Sequence, residues 1–209
     1  MDIPMYRDEK KEYQLELIEK RISGNGGIFR TDDEKELGID YRRLQQFVKE
    51  GRLRKIKSGY YTSDKIVDEE TLVSALFPDG VLTLETALYY YGYIPERPKT
   101  WRIAINKNTS KGRFNITYPL VYPLYTEPDV LSEGTEEIKI GGNMMRIYSK
   151  ERLICEVLKY QDKMDKKDFR TGIFAFIEDE DKDEFKLLEY SEIRKVRKKA
   201  HDMIGVWLE

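Results

Sequence analysis

The sequence predicts an α+β protein of two domains, an N-terminal winged helix-turn-helix followed by a mixed α/β domain that ends in helices. Three observations predict it. The stretch Asp40 to Thr62, DYRRLQQFVKEGRLRKIKSGYYT, reads as an amphipathic helix followed by a basic β-hairpin. Two further helical patterns precede it. Beyond about residue 68, β-like runs mix with helical ones. The 209 residues suffice for one large domain or two small ones. A boundary is expected near Asp64 to Asp68, giving domains 1–66 and 67–209.

The first helix is expected from about Arg7 to Ser23. Leu15, Ile18 and Ile22 recur at i, i+3 and i+7, and Tyr13 and Leu17 widen the stripe. Gly24, Gly26 and Gly27 end it. Ile28 and Phe29 make a short apolar step. Thr31 is the expected N-cap of a short, mostly polar second helix ending at Leu37, with Thr31 and Glu34 matching a capping box. Gly38 makes the turn and Ile39 plugs the core beside it. Asp40 is a good N-cap for the third helix. Tyr41, Leu44 and Val48 share its apolar face, with Phe47 at the edge; Arg42, Arg43, Gln46 and Lys49 point away, with Gln45 at the margin. Glu50-Gly51 closes that helix. Leu53–Ile56 and Tyr60–Thr62 read as strands joined by the turn residues Lys57-Ser58-Gly59.

In the second domain, Glu69 to Phe77 reads as a helix stopped by Pro78-Asp79-Gly80, and Thr83 caps another over Leu84 to Tyr91. Strands are expected over Trp101–Ile105, Asn115–Tyr122, Glu136–Ile140 and Met144–Tyr148, the last two flanking Gly141-Gly142-Asn143, a hairpin signal. Ser149 caps a helix running from Lys150 to about Met164. Helices over Phe169–Ile177 and Phe185–Trp207 follow, separated by a solvated acidic loop, Glu178 to Glu184.

Charge is segregated along the chain. Residues 42–57 hold seven basic side chains and one acid, a net of +6, so against a total of −2 the remainder carries −8. A uniformly basic nucleic-acid coat is thereby excluded; any affinity for nucleic acid must come from a segregated patch. One helix fits the major groove, where Arg and Gln read base edges. The candidate DNA-contacting residues are Arg42, Arg43, Gln45, Gln46 and Lys49 on the helix, with Arg52 just beyond it. Arg54, Lys55 and Lys57 of the hairpin would meet flanking phosphates or the minor groove, and Thr31 opens the second helix. A basic helix face is also what a solvated face looks like. A winged helix that serves as a protein-interaction adaptor without DNA affinity is the alternative.

Three segments resemble the AbiE-type abortive-infection antitoxins of type IV toxin–antitoxin systems. Gly27 to Asp64 is similar to the family's winged helix, with "LGI" before the recognition helix, "GRL" after it and "GYY" in the wing. Phe77 to Tyr93 is similar to the opening of the family's second domain. Tyr148 to Tyr160, YSKERLICEVLKY, is similar to its Ser-x-Glu-Arg helix start. The resemblance implies a cytoplasmic regulator active in phage defence. It would bind inverted repeats of double-stranded operator DNA in its own promoter and repress the operon, as a monomer or weak dimer in solution with two copies on DNA. It implies also that the C-terminal domain counteracts a nucleotidyltransferase-like toxin without a stable complex.

Other chemistries find little footing. One cysteine, Cys155, and one histidine, His201, permit neither a disulfide nor a Cys/His zinc site, and fit a reducing cytosol. The N-terminus carries charges where a signal peptide needs an apolar run. Pro128-Asp129 with Glu137-Ile138-Lys139 resembles a metal-dependent nuclease pattern, a second alternative, yet Glu137 to Lys139 is ordinary strand alternation. Asp179, Asp181 and Asp183 suggest a Ca²⁺ loop but lack its central glycine. The basic run Arg194 to Lys199 is a solvated helix face or a second functional surface. Tyr89, Tyr90, Tyr91 and Tyr93 point different ways on a helix and read as packing. No cofactor, metal or catalytic residue is expected.

Overall fold

The structure, a computed structural model, describes residues 7–63, 68–116 and 118–205. Two compact units divide the chain. The first runs through Pro78 and takes in residues 115–118 and 139–143; the second comprises Asp79–Phe114, Pro119–Ile138 and the chain from Met144 on. Apart from Asp68, the boundary expected at Asp64 to Asp68 lies outside the described residues.

The first unit begins with α1 (Arg7–Gly24), β1 (Phe29–Arg30), α2 (Thr31–Leu37) and α3 (Tyr41–Lys49). The hairpin β2 (Leu53–Lys57) and β3 (Tyr60–Ser63) follows, and then α4 (Glu69–Leu76). The three strands form an antiparallel sheet in the order β1-β3-β2. Leu15, Ile18 and Ile22 of α1 pack with Ile39, Leu44 and Phe47, and with Phe29, Leu53 and Tyr61 of the sheet. The apolar spacing therefore sets three helices and one sheet face around a single core. Two aromatic residues expected in that stripe lie outside it: Tyr13 is 51% exposed and Tyr41 50%. Leu44 and Phe47 centre the buried face of α3. At about 100° per residue, Tyr41 falls a quarter-turn away from that centre.

Two start signals also differ from expectation. The N-cap of α2 is Arg30, one residue before Thr31, and the reach-back comes from Asp33, whose carboxylate accepts the Arg30 backbone N–H at 2.7 Å. The shift follows from the ladder, which holds Arg30 extended opposite Tyr60. Glu34 is instead buried with its Oε1 unpartnered among the described residues. Burial, reinforced by Asp40, pushes its carboxyl above the usual range. Asp40 caps α3 as expected, accepting the Arg42 N–H at 2.7 Å.

The second unit is built on a five-stranded mixed sheet in the order β6-β5-β4-β8-β7. Its strands are β4 (Val81–Leu82), β5 (Trp101–Asn106), β6 (Val121–Thr126), β7 (Thr135–Ile140) and β8 (Asn143–Tyr148). Its helices are α5 (Leu84–Tyr90), α6 (Pro128–Leu131), α7 (Lys150–Lys159), α8 (Lys166–Glu178), α9 (Glu184–Ile193) and α10 (Arg197–Met203). The strand expected at Asn115–Tyr122 lies later, at β6. Pro123 stands inside it, which an edge strand tolerates because the missing N–H needs no ladder partner. The β7–β8 turn is made by Gly141 and Gly142, both with positive φ, as a tight two-residue hairpin needs. The long terminal helix is broken in two around Lys195, which takes φ +57° between α9 and α10. Residues 206–207 of that expectation lie outside the described residues. The helix begun at Ser149 stops at Lys159, short of Met164, and α8 starts earlier than expected because Asp165 caps it.

α7 is buried along nearly its whole length and packs on α9 and α5. Its charged residues are therefore inside. Arg152, Glu156 and Arg194 are 0%, 1% and 3% exposed. The Glu156 carboxylate pairs with Arg152, and accepts from Arg194 Nε at 2.5 Å and Nη2 at 3.0 Å. Arg152 also donates to the Val130 carbonyl at 3.1 Å and lays its guanidinium over the Tyr148 ring. Burial lowers its pKa to about 10, so it stays charged at neutral pH. The acidic run is anchored as well as solvated. Asp179 accepts from Lys150 at 2.7 Å and Tyr93 at 2.5 Å, and Asp183 caps α9. Burial works against the Asp179 charge, but these hydrogen bonds prevail and hold the carboxyl at about 2.

Cys155 packs as the small hydrophobe expected, fully buried beside the triad. Burial pushes its thiol up to about 12. The native protein should therefore resist alkylation by iodoacetamide at pH 8 and react only on unfolding. Labelling in native buffer at the rate of free cysteine would contradict this placement. Among the described residues, no helix is long and apolar enough to cross a membrane.

Candidate nucleic-acid interface

The site is carried by α3 and the hairpin behind it. With Leu44 and Phe47 turned inward, Arg42 and Lys49 fall almost opposite them at about 100° per residue. Gln45 and Gln46 flank that line on either side. Arg42, Gln46 and Lys49 are exposed and Arg43 is half-buried. Arg42 and Lys49 enter no ion pair among the described residues. The two glutamines are held differently. Gln46 accepts from Arg43 Nη1 at 2.8 Å and donates to Glu50 at 2.8 Å, so both ends of its amide are engaged within its own helix. Gln45 donates across to the Tyr61 hydroxyl on β3 at 3.0 Å.

Glu50 is the one acid within the basic stretch, and it is neutralised from α1, since Lys11 donates to it at 2.8 Å. Arg52 makes a two-pronged pair with Glu12 of α1, at 3.0 and 3.3 Å, and that hydrogen bond holds the Glu12 carboxyl below its usual range. Arg52 is thus turned toward α1. The pair is solvent-exposed and worth little in stability, but it aligns the C-terminal end of α3 against α1.

On the hairpin, Lys55 is exposed, while Arg54 and Lys57 lie along aromatic rings of the same unit. Arg54 sits 6.0 Å from the Tyr118 ring centre, and Lys57 4.3 Å from that of Tyr60. Arg30 approaches Tyr60 from the other side at 5.9 Å. A row Arg30–Tyr60–Lys57 therefore crosses all three strands, as the register dictates. Cations over ring faces are attracted by the ring quadrupole and keep their charge outward. Arg30 was not among the candidates from sequence. Its only signal was the apolar step Ile28-Phe29 before it, too short to establish a strand. Thr31, one residue on, is tied by its backbone: its N–H donates to the Gly59 carbonyl at 2.9 Å. Gly59 has φ +77°, and a Cβ there would lie 3.1 Å from Thr31 Oγ1, so the hairpin turn closes directly on the start of α2.

The other candidates stay apart. Asp129 lies on α6 and Glu137 on edge strand β7, both exposed. Among the described residues, no three His, Cys, Asp or Glu side chains form a group able to hold a metal. Tyr91 and Tyr93 are tied inward, Tyr91 donating to the Tyr148 carbonyl at 2.9 Å and Tyr93 to Asp179.

The small helical core, the basic helix and the β-hairpin make one module, and the comparison with known proteins falls on it. Residues 16–63 match the family described as "Transcriptional regulator, AbiEi antitoxin". That span runs from within α1 to the end of β3 and includes every candidate contact residue. The likeness to AbiE-type antitoxin regulators is carried by this module, 48 of the 209 residues. No curated protein matches the chain.

Proposed function

We propose that the chain is a DNA-binding antitoxin that represses its own operon. In this reading the first domain, residues 1–66, is a winged helix-turn-helix. α3 enters the major groove, and the β2–β3 hairpin is the wing against flanking backbone. Arg42, Gln45, Gln46 and Lys49 face base edges. Arg43, Lys55 and Lys57 supply charge to phosphates, with Arg54, Arg52 and Thr31 at the margins. Two copies occupy the halves of an inverted repeat. The domain from residue 67 on counteracts a nucleotidyltransferase-like toxin of a type IV system without forming a stable complex, and the protein works in the cytoplasm without catalysis of its own.

The observation that carries this reading is the placement of Arg42 and Lys49 almost opposite the Leu44–Phe47 core stripe, in a stretch of net +6 within a chain of net −2. The test is a titration of fluorescent duplex from the region upstream of the gene against a shuffled duplex of equal length. The reading expects tight binding to the former and weak, salt-sensitive binding to the latter. Equal affinity for both would remove sequence-specific repression. Binding to neither would favour the protein-interaction adaptor.

Lys55 supplies a separable prediction. As a phosphate contact, Lys55→Ala should weaken binding to all duplexes alike and reduce the slope of log K against log salt by about one. An unchanged slope would take Lys55 off the interface.

A further inference from the structure

Gln45 is half-buried at the margin of the outward arc of α3, and its amide is anchored from below. Its Nε2 donates to the hydroxyl of Tyr61, 3.0 Å away on β3. Tyr61 is itself fixed. Its ring is buried in the core with Leu44 and Phe47, and the ladder pairs it with Phe29 on one side and Lys55 on the other. Burial raises the phenol above the usual tyrosine range; the Gln45 hydrogen bond opposes that rise and the neighbouring Tyr41 adds to it. The group is therefore a neutral hydroxyl at physiological pH, able to accept as well as donate.

We propose that Tyr61 is a positioning residue for sequence choice, its buried hydroxyl fixing which end of the Gln45 amide faces the groove. The inference rests on the DNA-binding reading above. A glutamine amide carries two N–H donors on one atom and two lone pairs on the other. With Nε2 turned toward the sheet, Oε1 and the second N–H are what remain for a base. That acceptor–donor pair matches adenine, whose N6 amino group donates and whose N7 accepts. Replacing the hydroxyl by hydrogen frees the amide to rotate or flip, so its preference for one base weakens. Gln46 lacks this dependence, because Arg43 and Glu50 hold its amide within the helix.

The experiment is selection of duplexes from a randomised pool by the full chain, its Tyr61→Phe and Gln45→Ala variants, and the double variant. Phenylalanine keeps the buried ring and removes only the oxygen. Tyr61→Phe should relax preference at one half-site position by about tenfold, equivalent to about 1.4 kcal/mol. Gln45→Ala should relax the same position, and the double variant should be no worse than Gln45→Ala alone. Affinity of the Tyr61→Phe chain for random-sequence duplex should stay unchanged. A fourth variant, Gln45→Glu, keeps the shape without the N–H donor and should lose the same preference with Tyr61 intact.

Full preference at every position in Tyr61→Phe, or unchanged preference in Gln45→Glu, overturns the assignment. So does a loss spread over all positions, or one that adds to that of Gln45→Ala, since either is the mark of general loosening. A wild-type chain that enriches no sequence overturns the DNA reading, and the Tyr61 role falls with it.

Discussion

Glu156→Ala is expected to destabilise the second unit by about 3–5 kcal/mol, the cost typical of leaving a buried charge without its partner. The Glu156 carboxylate is shared by Arg152 and Arg194, and all three are buried. Removing it leaves two guanidinium groups facing each other out of water. Domains are stable by only about 5–15 kcal/mol, so much of the margin goes. Urea denaturation followed by circular dichroism, with Cys155 labelling as a local probe, measures the change. A loss under about 1 kcal/mol would show that the triad is not the closed, dry cluster described. The informative control replaces Arg152, Glu156 and Arg194 together by apolar residues of similar volume. Such replacements are often neutral or stabilising, so recovery of stability would assign the penalty to uncompensated charge rather than to lost packing.

The joint substitution Arg42→Ala with Lys49→Ala is expected to have the largest effect on function. A good base contact discriminates by about 1–3 kcal/mol. The two residues are seven apart, about 10 Å along the helix axis, far enough for their effects to add. Affinity for the upstream duplex should fall by about 2–6 kcal/mol, or about 30-fold to 10⁴-fold, while affinity for shuffled duplex falls far less. Both side chains are exposed and neither is ion-paired among the described residues, so thermal stability should move little. An equal loss on both duplexes would reassign these residues to phosphate contact.

The basic helix and its hairpin were legible in the sequence because they are local. Asp40 as a cap, the Leu44 spacing, Gly51 and the Lys57-Ser58-Gly59 turn each act over a few residues, and α3, β2 and β3 form where those signals put them. What failed depends on distant partners. β4 is two residues long, yet it is the central strand that joins β5 to β8, and no pattern in Val81-Leu82 announces this. Arg152 and Glu156, at i and i+4, look like a solvated pair on a surface helix; only the packing of α9 over α7 makes them core. Tyr61 reads as a strand residue with an inward ring. Its hydroxyl matters only because the fold carries β3 beneath α3. Asp179 was similarly hidden in an acidic run, and Arg30 behind a strand of two residues.

The most direct test of the central claim, that α3 reads DNA, is a chemical footprint of the region upstream of the gene with the native chain and with the Arg42→Ala, Lys49→Ala variant. The account predicts protection of major-groove guanine N7 in two inverted half-sites, spaced by about one helical turn of 10–10.5 base pairs or a multiple of it, and loss of that protection in the variant. No protected half-sites in the native footprint, or protection that persists when Arg42 and Lys49 are gone, would contradict it.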